Sequence, residues 1–261
     1  LSLAADMPEG SLGGRDVSAL SLGFDGRIDG SDISGSLNGG GSLGGEPLTM
    51  AGDIALAGSD RKISGLRIGL GPSQLAGDLV QSGSAPVIGQ LTLATPDLAP
   101  VAALALTEAT GAIDADIRLS GEGSRQDAAI TARASNVAIA GTRIDDFTAD
   151  LRVTDATGVP MAEGTVNGTG LAVAGLDIAS LALTATQDRP EEMDVALDGR
   201  MANGTLLDAS GSLARPDGTG LTATLATLNL RQEAGTATLT APATLDVAQN
   251  GTVTLSPLTL D

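Results

Sequence analysis

The sequence predicts an all-β chain of antiparallel strands broken once by a short helix, and three observations predict it. Apolar and polar residues alternate with a period of two from end to end, which is the signature of half-buried strands. The runs are punctuated by turn-forming residues, with 36 Gly and 11 Pro in 261 residues. Two Phe and no Tyr or Trp are present, so any apolar layer is thin and built from Leu, Ile, Val and Ala rather than from rings.

The elements follow in chain order. "LGFDGRI" (22–28) and "LTMAGDI" (48–54) alternate within an N-terminal β block, residues 1–94. "TPDLAPVAALALTEATG" (95–111) breaks the pattern: Pro96 near a helix start, an Ala-rich interior and Gly111 at a C-cap position predict one helix over 97–108, inside a helical insert of 95–111. Such a helix is too short to span a bilayer. A C-terminal β-repeat block, 112–261, resumes the alternation and can continue the sheet of the first block. In "GAIDADIRLSG" (111–121) Ile113, Ala115, Ile117 and Leu119 alternate with Asp114, Asp116, Arg118 and Ser120. "FTADLRV" (147–153) sets Phe147, Ala149, Leu151 and Val153 against Thr148, Asp150 and Arg152, and "LDASGSL" (207–213) and "LTATL" (221–225) repeat the theme.

Asn-Gly between alternating runs is a strong hairpin cue; it occurs at Asn38-Gly39, Asn167-Gly168, Asn203-Gly204 and Asn250-Gly251. Parity tells these turns apart. Leu245, Val247, Val253 and Leu255 are all odd, so a three-residue loop, Gln249-Asn250-Gly251 with Gly251 left-handed, is needed to pair Val247 with Val253 on one face. Even Val166 followed by odd Leu171 and Val173 suits a two-residue turn at Asn167. A repeat links "NVAIAGTRIDDFTADL" (136–151) to "GLAVAGLDIASLALTA" (170–185) at an offset of 34. It reads as one short strand and two longer ones, and its period of two excludes a helical repeat.

Composition narrows the function. With 32 acidic against 14 basic residues the net charge is −18, which disfavours nucleic acid and anionic membrane surfaces. Without Cys there are no disulfides, and without His a catalytic base is hard to supply. "GGSLG" (40–44) fits a nucleophile elbow around Ser42, but with no His to act as its base the stretch reads as a glycine-rich loop. A Ser–Lys dyad would have to use Lys62. Asp114 with Asp116, and Asp145 with Asp146, are the hard-ion candidates, yet alternate Asp on a strand is ordinarily its wetted face. The sequons at Asn167, Asn203 and Asn250 coincide with expected turns. The reading is therefore no enzyme, no cofactor, no metal and no catalytic residue. The chain opens and closes in mid-pattern, as an excerpt from a longer protein would.

The segment "DLAPVAALALTEATGAIDADIRLSGEG" (97–123), the "LAVAGLDIASLALTA" (171–185) repeat, the dearth of aromatics and Lys, and the acidity resemble the central β-repeat region of the translocation and assembly module (TamB) family of AsmA-like envelope proteins. The resemblance implies an elongated, curved antiparallel sheet, a β-taco, with an apolar groove. It implies a periplasmic protein anchored in the inner membrane by a segment outside this chain. Such a protein carries phospholipid acyl chains toward the outer membrane and works with an Omp85-type partner, TamA. The groove-lining residues would be those on the cleanest strands: Ile113, Ile117, Leu119, Phe147, Leu151, Val153, Leu171, Val173, Leu181, Leu183, Val195 and Leu197. About 15 strands at a spacing of about 4.8 Å would extend on the order of 70 Å. Two alternatives stay open on pattern alone: apolar faces that bury each other in a sandwich, and a secreted or surface β-solenoid or adhesin with no lipid duty.

Overall fold

The structure, a computed structural model, describes the chain apart from residues 13, 174, 215–219 and 248–252 and the side chains of Leu12 and Asp188. It is nearly all antiparallel β-sheet with one short helix, and it divides into two units, Leu1–Ala140 and Gly141–Asp261.

The first unit contains β1 (Ser2–Leu12), β2 (Arg15–Asp29), β3 (Asp32–Leu43), β4 (Glu46–Ala57), β5 (Asp60–Leu70), β6 (Ser73–Gln81), β7 (Ile88–Thr95), α1 (Ala99–Leu104), β8 (Ala109–Glu122) and β9 (Arg125–Ile139). Each strand pairs antiparallel with the next. The second unit contains β10 (Thr142–Thr154), β11 (Met161–Val173), β12 (Leu176–Arg189), β13 (Glu192–Met201), β14 (Leu206–Ala214), β15 (Leu221–Gln232), β16 (Gly235–Thr238), β17 (Ala243–Val247) and β18 (Val253–Leu255). It is a meander too, except that β15 pairs with β16 at one end and β17 at the other. Every strand pairing described within each unit is antiparallel, which is at odds with the parallel rungs of a solenoid.

Most tight turns begin with glycine. Gly30-Ser31, Gly44-Gly45, Gly58-Ser59, Gly71-Pro72 and Gly123-Ser124 each join two strands in the first unit, and the first glycine of each has φ between 54 and 64°. Glycine at the first central position is what two-residue primed turns require. This corrects the Asn-Gly expectation at two places: Asn38-Gly39 lies inside β3 and Asn167-Gly168 inside β11. Asn203-Gly204 does turn the chain between β13 and β14, with Asn203 Oδ1 accepting the Thr205 N–H at 3.0 Å. The loop expected at Gln249-Asn250-Gly251 falls outside the described residues, and Val247 pairs with Val253 as the parity required.

The parity switch near Asn167 has a different cause. Gly170 has φ +60°, so the apolar positions step by three, from Gly168 to Leu171. A Cβ at Gly168 would meet Leu171 Cδ1 at 3.0 Å on one side, whereas a Cβ at Gly170 would run into Asp145 on the other. Ile178, opposite Leu171, is followed by a register shift that brings Leu181 to the same face. Similar shifts occur at Ser18/Ser21, Ala51/Asp53, Ile63/Leu66 and Thr110/Ala112.

Three further expectations need correction. Gly111 lies in β8 rather than at a helix cap, because α1 ends at Leu104. "GGSLG" is the end of β3 and its turn, not a loop. The 34-residue repeat spans the end of one strand, a turn and two full strands, β10 with β11, with no short strand of its own.

In the first unit several hairpin tips bond to the end of the strand beside them. At one rim the Gly44 N–H donates to Asp16 O and the Gly71 N–H to Pro47 O, both at 2.8 Å. At the other rim Asp32 Oδ1 accepts the Gly58 N–H and Asp60 Oδ1 the Gly83 N–H, each at 2.9 Å, and the Gln126 amide brackets Val87 N–H and C=O.

Replacing Gly170 with Ala is expected to lower stability by about 1–2 kcal/mol, because an L side chain strains at this φ and collides with Asp145. Asn167→Thr, at a strand interior on the polar face, should change it by less than about 0.5 kcal/mol. Urea denaturation followed by circular dichroism measures both.

Candidate functional site

In an antiparallel sheet, paired residues point to the same side. The registers therefore settle the question that strand-by-strand parity leaves open. In the first unit Ile117 stands between Leu91 and Ile130, Leu119 between Gly89 and Ala128, and Ile113 between Thr95 and Ala134. The ladder runs on through Leu93 to Leu75 to Ile68 to Met50 to Gly39 to Leu22. The reverse side carries Asp114, Asp116 and Arg118 beside Thr92, Thr131 and Arg133.

The second unit repeats this in rows. One row reads Phe147, Gly168, Leu181, Gly199, Leu207, Leu230; the next reads Ala149, Val166, Leu183, Leu197, Ala209, Leu228. A third reads Leu151, Gly164, Ala185, Val195, Gly211, Leu225, Ala243. No hydrogen-bonding side chain interrupts any of the three. Val153, opposite Ala162, belongs to the same face, as do Leu171 and Val173 at the end of β11. All twelve residues singled out in the sequence thus lie on the apolar face of their own unit, three in the first and nine in the second.

That face is neither sealed nor fully wet. Eleven of the twelve are half-buried, and Val173, at a hairpin tip, is 37% exposed. Among the described residues no large side chain falls below 2% exposure, and the buried apolar residues of the second unit are three alanines, Ala149, Ala209 and Ala243. A sandwich core would bury its leucines completely. One recess on this face is an open trough of about 370 Å³, framed by Val195, Leu197, Leu213, Leu225, Leu245 and Leu255.

Residues missed by the sequence reading lie mainly before residue 90. Phe24, Leu37, Met50, Ile54 and Ile68 share the first unit's apolar face. Their signal was broken by glycines that also sit on this face, Gly35, Gly39 and Gly41, and by the register shifts. The chemical candidates sit apart from it. Ser42 is within β3 opposite Pro47, and Lys62 is exposed in β5 opposite Ala55. Asp145 pairs with Arg143 at 2.9 Å. Among the described residues no three acidic side chains gather as metal ligands would, and no helix is long and apolar enough to cross a membrane.

A family model described as TamB, N-terminal domain, matches residues 31–258, reaching well into the region where the repeat pattern is weakest. No curated protein matches the sequence, and no solved structure matches the fold.

Leu225→Asp is expected to cut the fluorescence enhancement of the neutral probe N-phenyl-1-naphthylamine severalfold, since a carboxylate in the trough wall keeps water there. Thr184→Asp, on the reverse face, should leave it unchanged; a fluorescence titration of both variants makes the comparison.

Proposed function

The chain belongs to the TamB family, a cell-envelope family of outer-membrane assembly, and from that premise we propose that its apolar faces carry phospholipid acyl chains between the inner and outer membranes. The observation that carries this reading is the set of uninterrupted apolar rows, half-covered, on one side of each unit. A methylene moved fully from water into an apolar site gains about 0.8 kcal/mol. Half-covered, it gains about half of that, enough over a long acyl chain to hold it and little enough per step to let it move. Apart from Phe147, at the β10 end of one row, the rows present no donor, acceptor or ring at which a chain would stop. Successive strands, about 4.8 Å apart, offer nearly equivalent positions, so displacement by one strand exchanges one set of contacts for a similar set.

The setting is the periplasm, with the inner-membrane anchor and the contacts to an Omp85-type partner, TamA, supplied by segments other than these residues. The reverse face, dense in Asp, Ser and Thr, faces water. No catalytic role is assigned, in keeping with a family that is a transport and assembly module rather than a known class of enzyme.

Native mass spectrometry of the purified chain should show co-purifying phospholipid. Leu151→Asp with Leu183→Asp should remove it while the circular dichroism spectrum keeps its β signature. A lipid-free native chain, or one whose substituted form unfolds outright, would overturn the reading in favour of self-burial.

A further inference from the structure

The first unit's apolar face ends in charge at one rim. Arg15 lies two residues before Val17 on the same side of β2, and Glu46, paired with Leu43, lies two before Leu48 on β4. Above them α1 closes a cavity of about 280 Å³ whose wall includes Arg15, Leu43, Glu46, Asp97, Pro100 and Leu104. Leu43 also belongs to the buried cluster with Val17 and Leu70, against which Leu20 and Leu48 pack. The cavity is thus a polar vestibule sharing a wall with the apolar strip.

Its polar groups are unevenly satisfied. The Arg15 guanidinium donates through Nη2 to Ala103 O. Arg15 Nε is buried and has no hydrogen-bond partner among the described residues. A buried donor without an acceptor is costly, and a charged one more so. Asp97 Oδ1 accepts the Ala99 N–H at 3.0 Å. One cation and two carboxylates give the vestibule a net charge of −1, so an anion that brings no cation with it meets net repulsion.

We infer that this vestibule receives the zwitterionic headgroup of a phospholipid, the phosphate on Arg15 and the ammonium on Glu46 and Asp97, with the acyl chains running onto Val17, Leu20 and Leu48. The inference rests on the acyl-chain reading above and adds selectivity to it. The phosphate supplies the acceptor that Nε lacks, and the ammonium balances carboxylates that a purely anionic headgroup would crowd. Phosphatidylethanolamine fits; phosphatidylglycerol, with the same tails and phosphate but no ammonium, does not.

The test incubates the full chain with equal amounts of phosphatidylethanolamine and phosphatidylglycerol of identical acyl composition and reads the retained ratio by native mass spectrometry. The native chain should favour the ethanolamine lipid by about fivefold or more. Glu46→Gln with Asp97→Asn should bring the ratio to about one, and Arg15→Gln should reduce retention of both lipids. A ratio near one for the native chain, or one unmoved by the double substitution, overturns the inference. On the unsubstituted chain, a phosphatidylethanolamine bearing a headgroup diazirine should label peptides containing Arg15, Glu46 or Asp97; labelling confined elsewhere overturns it without reference to variant folding. Free phosphoethanolamine should not displace the lipid at equal concentration, and if it does, the site serves a soluble phosphate ester instead. Retention of no lipid defeats the acyl-chain reading as well, whereas retention without preference defeats only the headgroup site.

Discussion

Strand register is the constraint on which the rest depends. Side chains alternate strictly across a strand, so a slip of one residue anywhere would carry the apolar set of that strand to the wet side and interrupt every row that crosses it. Two devices pin the register. Glycine-first turns fix where each hairpin closes, and local shifts, such as the one at Gly170 and Ala179, restore a common face where the sequence parity changes. Rows such as Phe147 to Leu230 exist only because all these joints agree.

The scarcity of rings acquires a physical sense on this scaffold. The two phenylalanines stand beside glycines on the apolar face. Phe147 is opposite Gly168, and the Phe24 ring lies over Gly35, where a Cβ would come within 2.8 Å of Cζ. Each ring covers backbone that glycine leaves bare. Elsewhere leucine faces glycine or alanine across strands, as at Leu181 with Gly199 and Leu213 with Ala223, so large and small side chains level one another.

Much of this was legible in the sequence. Period-two alternation located the strands, and within-strand parity grouped Ile113, Ile117, Leu151 and Leu183 with the apolar face of their strands, because a clean HPHP run admits one reading. The turns were harder. Asn38-Gly39 and Asn167-Gly168 carry the dipeptide that favours a hairpin, yet each sits in mid-strand, where glycine serves close packing on the apolar face rather than a reversal. The Gly-Ser and Gly-Pro pairs that do turn the chain look locally like any flexible stretch. The Arg15 and Glu46 vestibule was invisible for another reason: its members are separated by 31 residues in the chain and joined only when β2, β3 and β4 align.

The bonds at the hairpin tips carry one last implication. At one rim they extend the β2–β3 and β4–β5 ladders into the turns, whereas at the other Asp32 and Asp60 hold the neighbouring turn through their side chains, so that second rim is tied by bonds outside the ladder. Fanning the strands apart at that rim would have to break the carboxylate bonds of Asp32 and Asp60 as well as the ladder. That edge of the unit is accordingly fastened against fraying by two side chains that the ladder itself does not supply.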